Sequence, residues 1–407
     1  MEKIKTLIIG GGAAGLTLAT LIDSTAYPAV VLERGDRVGK KLSATGNGQG
    51  NITNVGATDA DYFSSSKNGK TLAQTLVSRH SHTAWMQHLQ NLGLLLITDE
   101  RGRVYPAGRQ ASAVTDALRF TVAQKGIEMR CGWQVTSLQK QANGFFVTAR
   151  NKDGATQTLQ AETVVLCTGG SVAKQFGTDG SAYALATGLG HTLTQTYPSL
   201  VQLKADTTHT KTLKGIRVSD AVVTAAWDKF SQTLQGDLLF TDYGVSGDVI
   251  FRLSAFFAHR LQSGVTLTVD FLPDFDEESI YQALVCKREN YPTIAIGELL
   301  CGFVNNQLAR AIMKRAQDDC RAAAKLVKAF TISVKGSMGA DVAQVTKGGV
   351  SMDEVDENLQ SKKCDGLYFA GEILDVDGQC GGYNLQWAYS SACAVANALN
   401  AKGRGQV

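Results

Sequence analysis

Residues Lys5 to Arg34 read KTLIIGGGAAGLTLATLIDSTAYPAVVLER, and this stretch decides the fold. The apolar run Thr6 to Ile9 enters Gly10-x-Gly12-x-x-Gly15. Leu16 to Ile22 follows with helical spacing, and the β-branched run Ala29 to Leu32 ends on Glu33. Strand, glycine turn, helix, strand and acid form the order that a dinucleotide requires. Gly10 makes the tight turn, Gly12 lets the backbone approach a pyrophosphate, and Gly15 lets the helix pack closely on the sheet. The phosphates then sit on the helix N-terminus, where N–H groups and the dipole favour an anion. Glu33 falls where a carboxylate can take both hydroxyls of an adenosine ribose and would repel a 2′-phosphate. The first ligand is therefore expected to be FAD or NAD, not NADP. A glycine turn in an unrelated α/β domain would leave Glu33 without a role.

Size and composition bound the rest. At 407 residues the chain has room for two or three domains. A hydrophobic share of 44% with 19% charged residues is ordinary for a globular protein. No apolar run approaches the roughly 20 residues that cross a bilayer, and the first apolar run is a short strand, not a signal peptide. A net charge of +3 gives no global nucleic-acid or membrane footprint. The eight cysteines are scattered without a CxxC pair or metal-ligand spacing, so no metal site is expected. They read as reduced thiols of a cytoplasmic protein.

Beyond Glu33 lies Gly35 to Asn54, a segment rich in Gly, Asn, Ser and Thr that buries little apolar surface and is expected to be ordered by a ligand. Lys40 and Lys41 bring positive charge near the pyrophosphate; Ser43, Thr45, Asn47, Asn51 and Thr53 offer neutral hydrogen-bonding groups. Residues 71–92 have helical spacing, and His80, His82 and His88 within them lack the i, i+4 pairing of a zinc site. A helix over Ser112 to Gln124 and strand-like runs over Ile127 to Leu138 and Phe145 to Ala149, joined by Asn143-Gly144, come next. Thr163 to Gly170 reads as a buried parallel strand ending at a ligand crevice, followed by a helix over Asp179 to Leu189. From Tyr197 to about Asp270 the texture is alternating β, residues 277–329 are helical, and residues 330–350 return to β. A strand at GLYFAG ends on Glu372, and a Gly-rich turn at Gly378 to Gly382 opens a last helix, Asn384 to Asn400. The expectation is an α/β chain with a Rossmann-like domain split in sequence. Its parts are residues 1–195 and 351–407, separated by a β-rich insert over 196–275, a helical segment over 276–330 and a β return over 331–350.

Five stretches carry a resemblance: GKKLSATGNGQGNITN (39–54), GRVYPAGRQAS (102–112), LLFTDYGVSGDVIFRLS (238–254), VTKGGVS (345–351) and AGEILDVDGQCGGYNLQWA (370–388). The chain resembles the two-dinucleotide-binding-domain flavoproteins and, more narrowly, the YhiN/BaiN/RdsA-like family of FAD-dependent oxidoreductases. That resemblance implies non-covalent FAD, an inserted β-barrel-like domain, and FAD contacts at Gly10, Gly12, Ala13, Ala14, Gly15, Glu33, Arg34, Lys40, Lys41, Thr45, Gly46, Asn47 and Asn51. It adds Val135 through its backbone, Thr168, Gly169, Gly170, Gly371, Glu372, and the turn Gly382, Tyr383, Asn384, Leu385. The chain departs from the family pattern at Gln49 and Gly50, where Arg-Cys is usual, and at Asp242 and Asp248, where His and Pro are usual.

FAD carries the redox chemistry, and the protein orients and tunes it. By the resemblance, the helix starting near Asn384 is placed to stabilise negative charge on the reduced ring, and Asn384 also suits an N-cap. Acid–base candidates beside the ring are Asp375 and Asp377, with Cys380 and Tyr383 as further weak candidates. Each also has a structural reading: carboxylates tied to turn N–H groups, a lone thiol, a packing aromatic. The expected reaction is hydride transfer between flavin N5 and a small or medium organic substrate, with NAD(P)H as a transient donor. Flavin-dependent reduction of a ribosomal RNA uridine and an amine-type oxidase are the alternatives. The basic run Arg310, Lys314, Arg315, Arg321, Lys325 and Lys328 would be the RNA-facing feature, although aromatic residues scarcely interleave it.

Overall fold

The computed structural model describes residues 1–260 and 264–405. Its chain divides into two compact units, Met1–Pro198 with Val345–Val407, and Ser199–Gln344. In the first unit the strand Glu2–Ile9 lies mid-sheet, parallel to Ala29–Glu33 on one side and to Thr156–Leu166 on the other. Glu128–Cys131 continues the parallel order beyond Ala29–Glu33. Thr156–Leu166 is long enough to serve two partners. Its first half pairs antiparallel with Gly144–Asn151, and its last three residues pair parallel with Leu367–Phe369. Strands covered on both faces need apolar residues throughout, and Leu7, Ile8, Val164, Val165 and Leu166 have no exposed surface. All the parallel strands end at the same edge, where ligands bind in open α/β sheets.

The first helix is Ala13–Leu21, starting straight from Gly12, and the last is Tyr383–Gly403. Residues 71–92 do not make one helix. They form Gly69–Arg79 and His82–Asn91, because the His80 carbonyl accepts hydrogen bonds from Gln386 Nε2 (2.8 Å) and Ser390 Oγ (2.7 Å) of the last helix instead of continuing its own ladder. The run Ile127 to Leu138 also divides. Gly132, at φ +80°, donates to the Gly35 carbonyl (2.7 Å) and separates Glu128–Cys131 from Trp133–Gln141, which pairs with Gly144–Asn151. The helix expected over Asp179 to Leu189 shrinks to Tyr183–Thr187. Asp179 is engaged by Arg34, outside any helix. The segment 35–54 contains one short helix, Lys40–Ala44.

The second unit is built on a closed six-stranded barrel, in the order Leu203–Ala205, Gly244–Ser246, Phe230–Phe240, Arg217–Trp227, Thr266–Asp270, Phe330–Ser337. Three helices, Glu277–Asn290, Asn306–Arg315 and Cys320–Lys328, fill the segment 277–329. Asp276, Asn305 and Asp319 cap them by accepting from N–H groups two or three residues on. A helix hidden in the β-textured stretch, Asp248–Phe256, buries Val249, Ile250 and Leu253. No helix among the described residues is long and apolar enough to cross a membrane.

Candidate cofactor site

The glycine turn is fixed by its own backbone. Gly10 has φ +107°, and a Cβ there would lie 2.4 Å from the Cys167 carbonyl oxygen; a Cβ on Gly15 would lie 1.9 Å from the Gly10 oxygen. Gly12 is different: nothing lies within 4 Å of where its Cβ would be. The chain thus closes around two glycines and leaves the third open, at the uncapped start of Ala13–Leu21. Glu33 is anchored beside this opening. Its Oε2 accepts from Gly11 N–H (2.8 Å) and its Oε1 from Gly35 N–H (2.6 Å). Val135 sits at a bulge in Trp133–Gln141, where the register shifts against Ala149.

Arg34, Lys40 and Lys41 have protein partners. Lys40 pairs with Asp36, and Arg34 forks onto Asp179 (2.7 and 3.0 Å) with a further bond to Ser181 Oγ. The guanidinium holds the Asp179 carboxyl well below the usual carboxylate range. Lys41 reaches across the unit to Glu372 Oε2 (2.6 Å), while Glu372 Oε1 accepts from Thr346 N–H (2.9 Å). Lys41 and Glu372, 331 positions apart, are thus in direct contact. Thr45 Oγ1 donates to the Lys41 carbonyl, and Gly46, Asn47, Gly48 and Gly50 all have positive φ, so the loop turns back sharply. Gly50 could not hold a larger side chain, since a Cβ would fall 2.8 Å from Ala111 Cα. Gln49, the neighbouring departure, accepts from Arg109 (3.2 Å).

At the crevice, a Cβ on Gly169 (φ +73°) would meet Thr178, and one on Gly170 would lie 2.2 Å from Thr346 Oγ1. Gly371 donates to Ser391 Oγ and receives Trp387 Nε1–H at its carbonyl. Gly382 (φ +104°) precedes Tyr383–Gly403 and would place a Cβ 2.5 Å from the Thr53 backbone. Asn384 is not the N-cap. Its side chain ties down the preceding turn instead, accepting from Gly378 N–H (2.9 Å) and donating to the Gly378 and Gln379 carbonyls. With Gly382 at the cap position, the helix has no side-chain cap. Leu385 packs partly buried against the core, and the Tyr383 ring meets Tyr62 edge-on at 6.2 Å.

The two aspartates separate in role. Asp375 is fully buried, and its Oδ2 accepts from Ser64 Oγ, Ser65 N–H, Ser66 N–H and Ser66 Oγ. These serines come from residues 64–66, not from its own turn. Asp377 is also buried, takes one long contact from Lys347 Nζ (3.5 Å), and is pushed up to about 6 by burial. Cys380 is half-buried. The missed residues are Asp179, Thr346 and Lys347. The last two lie in VTKGGVS, a stretch quoted for its family likeness but given no role.

The residues fit FAD. Asn51 Oδ1 and Thr168 Oγ1 are buried without a hydrogen-bond partner among the described residues, Gly12 is open to a close approach, and Ala13–Leu21 and Tyr383–Gly403 both begin on glycine without side-chain caps. A dinucleotide-type flavoprotein is the class this fold and site define. The sequence matches the HI0933-like protein Rossmann domain family over residues 4–398, and the chain belongs to that family. It is 33% identical to the 3-dehydro-bile acid delta(4,6)-reductase of Clostridium scindens, covering 94% of this chain and 96% of that protein. It is 27% identical to the ribosomal RNA dihydrouridine synthase of Escherichia coli, covering 98% of each. Among solved structures it is similar to 3-ketosteroid-delta4-(5alpha)-dehydrogenase from Rhodococcus jostii RHA1, at a TM-score of 0.52 and 14% identity, covering 98% of this chain and 97% of that one. This last likeness shows the fold. The chain is an FAD-dependent oxidoreductase.

Proposed function

We propose that the protein transfers a hydride between flavin N5 and a carbon–carbon double bond conjugated to a carbonyl, in a small or medium organic substrate, with NAD(P)H as transient donor. The observation that carries this is the uncapped start of Tyr383–Gly403, where Gly382 supplies no side chain and Asn384 is drawn away to the turn. Such a helix start stabilises negative charge developing on a ring held against it. FAD supplies two-electron chemistry when bound, and these residues set its charge balance. Gly12, Glu33, Lys41, Asn51, Thr168 and Glu372 would hold and orient it. The names of the relatives support the substrate class. A 3-dehydro delta(4,6) bile acid and a uridine both present a double bond conjugated to a carbonyl.

Reduction of an RNA uridine is the second reading, supported by the dihydrouridine synthase relatives. Four of the six cations in the basic helical run have protein partners, which weighs against it. Arg310 pairs with Glu298, Arg321 with Glu278 and Lys328 with Asp270, while Arg315 donates to Thr331. Cations already paired release few counterions on meeting phosphate. The two readings separate in one experiment. Anaerobically photoreduced protein is mixed with a cyclic enone, with a steroid 4-en-3-one, or with a single-stranded uridine-containing RNA. Rapid flavin reoxidation by the enones alone is the expected result. Reoxidation by the RNA alone supports the second reading. Reoxidation by none, with bleaching of the oxidised protein by a primary amine, overturns both in favour of an oxidase.

A further inference from the structure

One buried charge has no role in the scheme so far. Asp377 is 1% exposed, and among the described residues its Oδ2 has no hydrogen-bond partner and its Oδ1 meets only Lys347 Nζ, at 3.5 Å. A carboxylate this deep is normally held by several donors, as Asp375 is two residues away. Asp377 instead keeps one oxygen bare. Lys347, 19% exposed along its side chain, is the outer member of the pair, and its ammonium lies 5.0 Å from the centre of the Phe63 ring. The pair is fastened to cofactor-side groups at both ends. The neighbour of Lys347, Thr346, donates its N–H to Glu372. Gly378, next to Asp377, is bonded to Asn384 in the first turn of the last helix. Asp377 also pairs in strand register with Phe63. The titratable groups around it are Lys347, Asp375 and Glu372, with Tyr62 on the paired strand and Tyr383 on the helix. Lys41 offsets Glu372, and Lys347 offsets Asp377.

We propose that the Lys347–Asp377 pair takes up one proton when the flavin is reduced and returns it when the substrate is reduced. This deepens the reading above, on which its second half rests. In the first half-reaction a hydride leaves NAD(P)H for the flavin, which gains negative charge, and Asp377 takes a proton from solvent. In the second, a hydride goes to one carbon of the double bond and the stored proton, passed through Lys347, goes to the other. The sum is NAD(P)H plus one proton plus the alkene, giving NAD(P)⁺ and the saturated product. Burial already lifts Asp377 to about 6, so added negative charge nearby lifts it through neutrality. Asp377 holds the proton here, and Lys347 relays it.

The test is proton uptake during anaerobic photoreduction of the FAD-loaded protein in weakly buffered solution at pH 7.5, followed with an indicator dye. Wild type is expected to take up nearly one proton more per flavin than Asp377→Asn, and Lys347→Arg is expected to match wild type. Equal uptake in wild type and Asp377→Asn overturns the proposal. If Asp377→Asn does not retain flavin, the reduced-minus-oxidised infrared spectrum of wild type decides. A new protonated-carboxyl band, shifted in D₂O and weakened in Lys347→Met, supports the proposal, and its absence overturns it. Neither arm uses the substrate, so failure of the enone reading leaves this result legible.

Discussion

The first and last helices of the first unit, Ala13–Leu21 and Tyr383–Gly403, both begin on glycine without a side-chain cap, and they reach that state by opposite routes. At Ala13–Leu21 the starting glycine, Gly12, faces open space while its neighbours Gly10 and Gly15 are pressed against backbone. At Tyr383–Gly403 the starting glycine, Gly382, is itself pressed against Thr53, and the following asparagine is bound into the turn. The first start is open; the second is locked by packing. Neither start has a side-chain cap, and on the function proposed above their helix N–H groups would meet phosphate in one case and a reduced ring in the other. A glycine can therefore matter for what it admits or for what it avoids, and substitution separates the two.

The largest effect is expected at Gly15→Ala. Its Cβ would overlap the Gly10 carbonyl at 1.9 Å, so stability should fall toward the upper end of the about 1–3 kcal/mol that overpacking costs, with bound flavin lost as well. Thermal unfolding and flavin content report both. Gly382→Ala combines φ +104° with a 2.5 Å approach to Thr53 and should lower Tm nearly as much. Retention of wild-type Tm there would break the claim that the second start is locked by packing.

The packing behind the second helix has a pH signature. His88 stacks near Trp85 and Tyr389 of the last helix, and burial lowers it from 6.5 to about 4. The unfolded chain then binds the proton more readily between those values. The full difference is worth about 3.4 kcal/mol, which the ring's partial exposure cuts to about 2 kcal/mol of stability, lost mostly as pH drops from 6.5 to about 4 with the last of it just below. Urea unfolding of wild type and His88→Gln across that range measures it, with the variant showing the shallower slope. Gly12→Ala sharpens the comparison from the other side. It should leave stability within about 0.5 kcal/mol of wild type, yet weaken FAD roughly tenfold or more by equilibrium fluorescence titration of the apoprotein. The smallest effect is expected in the second unit, at Arg321→Gln. Its partner Glu278 is exposed, so Tm and flavin content should both stay at wild-type values.

The first glycine turn was legible from spacing because each of its residues is constrained by its near neighbours. The fold class followed from it, with the closed barrel foreshadowed by alternating texture and resemblance. Long-range partners were not legible. Nothing local in Arg34 indicates that it forks onto Asp179, and Lys41 reveals its tie to Glu372 only when the sheet brings both to one edge. The break at His80 has the same origin, since side chains of the last helix take its carbonyl. Asn384 shows the limit of local rules most plainly. It is a good capping residue by type, and the turn before it competed successfully for its side chain. The sequence suggests that Asp375 is a carboxylate tied to the N–H groups of its own turn; it is tied to N–H groups, but those of a serine loop more than 300 positions away.

The most direct test of the account is an anaerobic absorbance titration of the purified protein with NADH and then NADPH, after FAD loading. The account predicts a retained, non-covalent flavin spectrum that bleaches within the mixing time with one of the two nucleotides. A protein that holds no added FAD, or a bound flavin that neither nucleotide reduces, would contradict it.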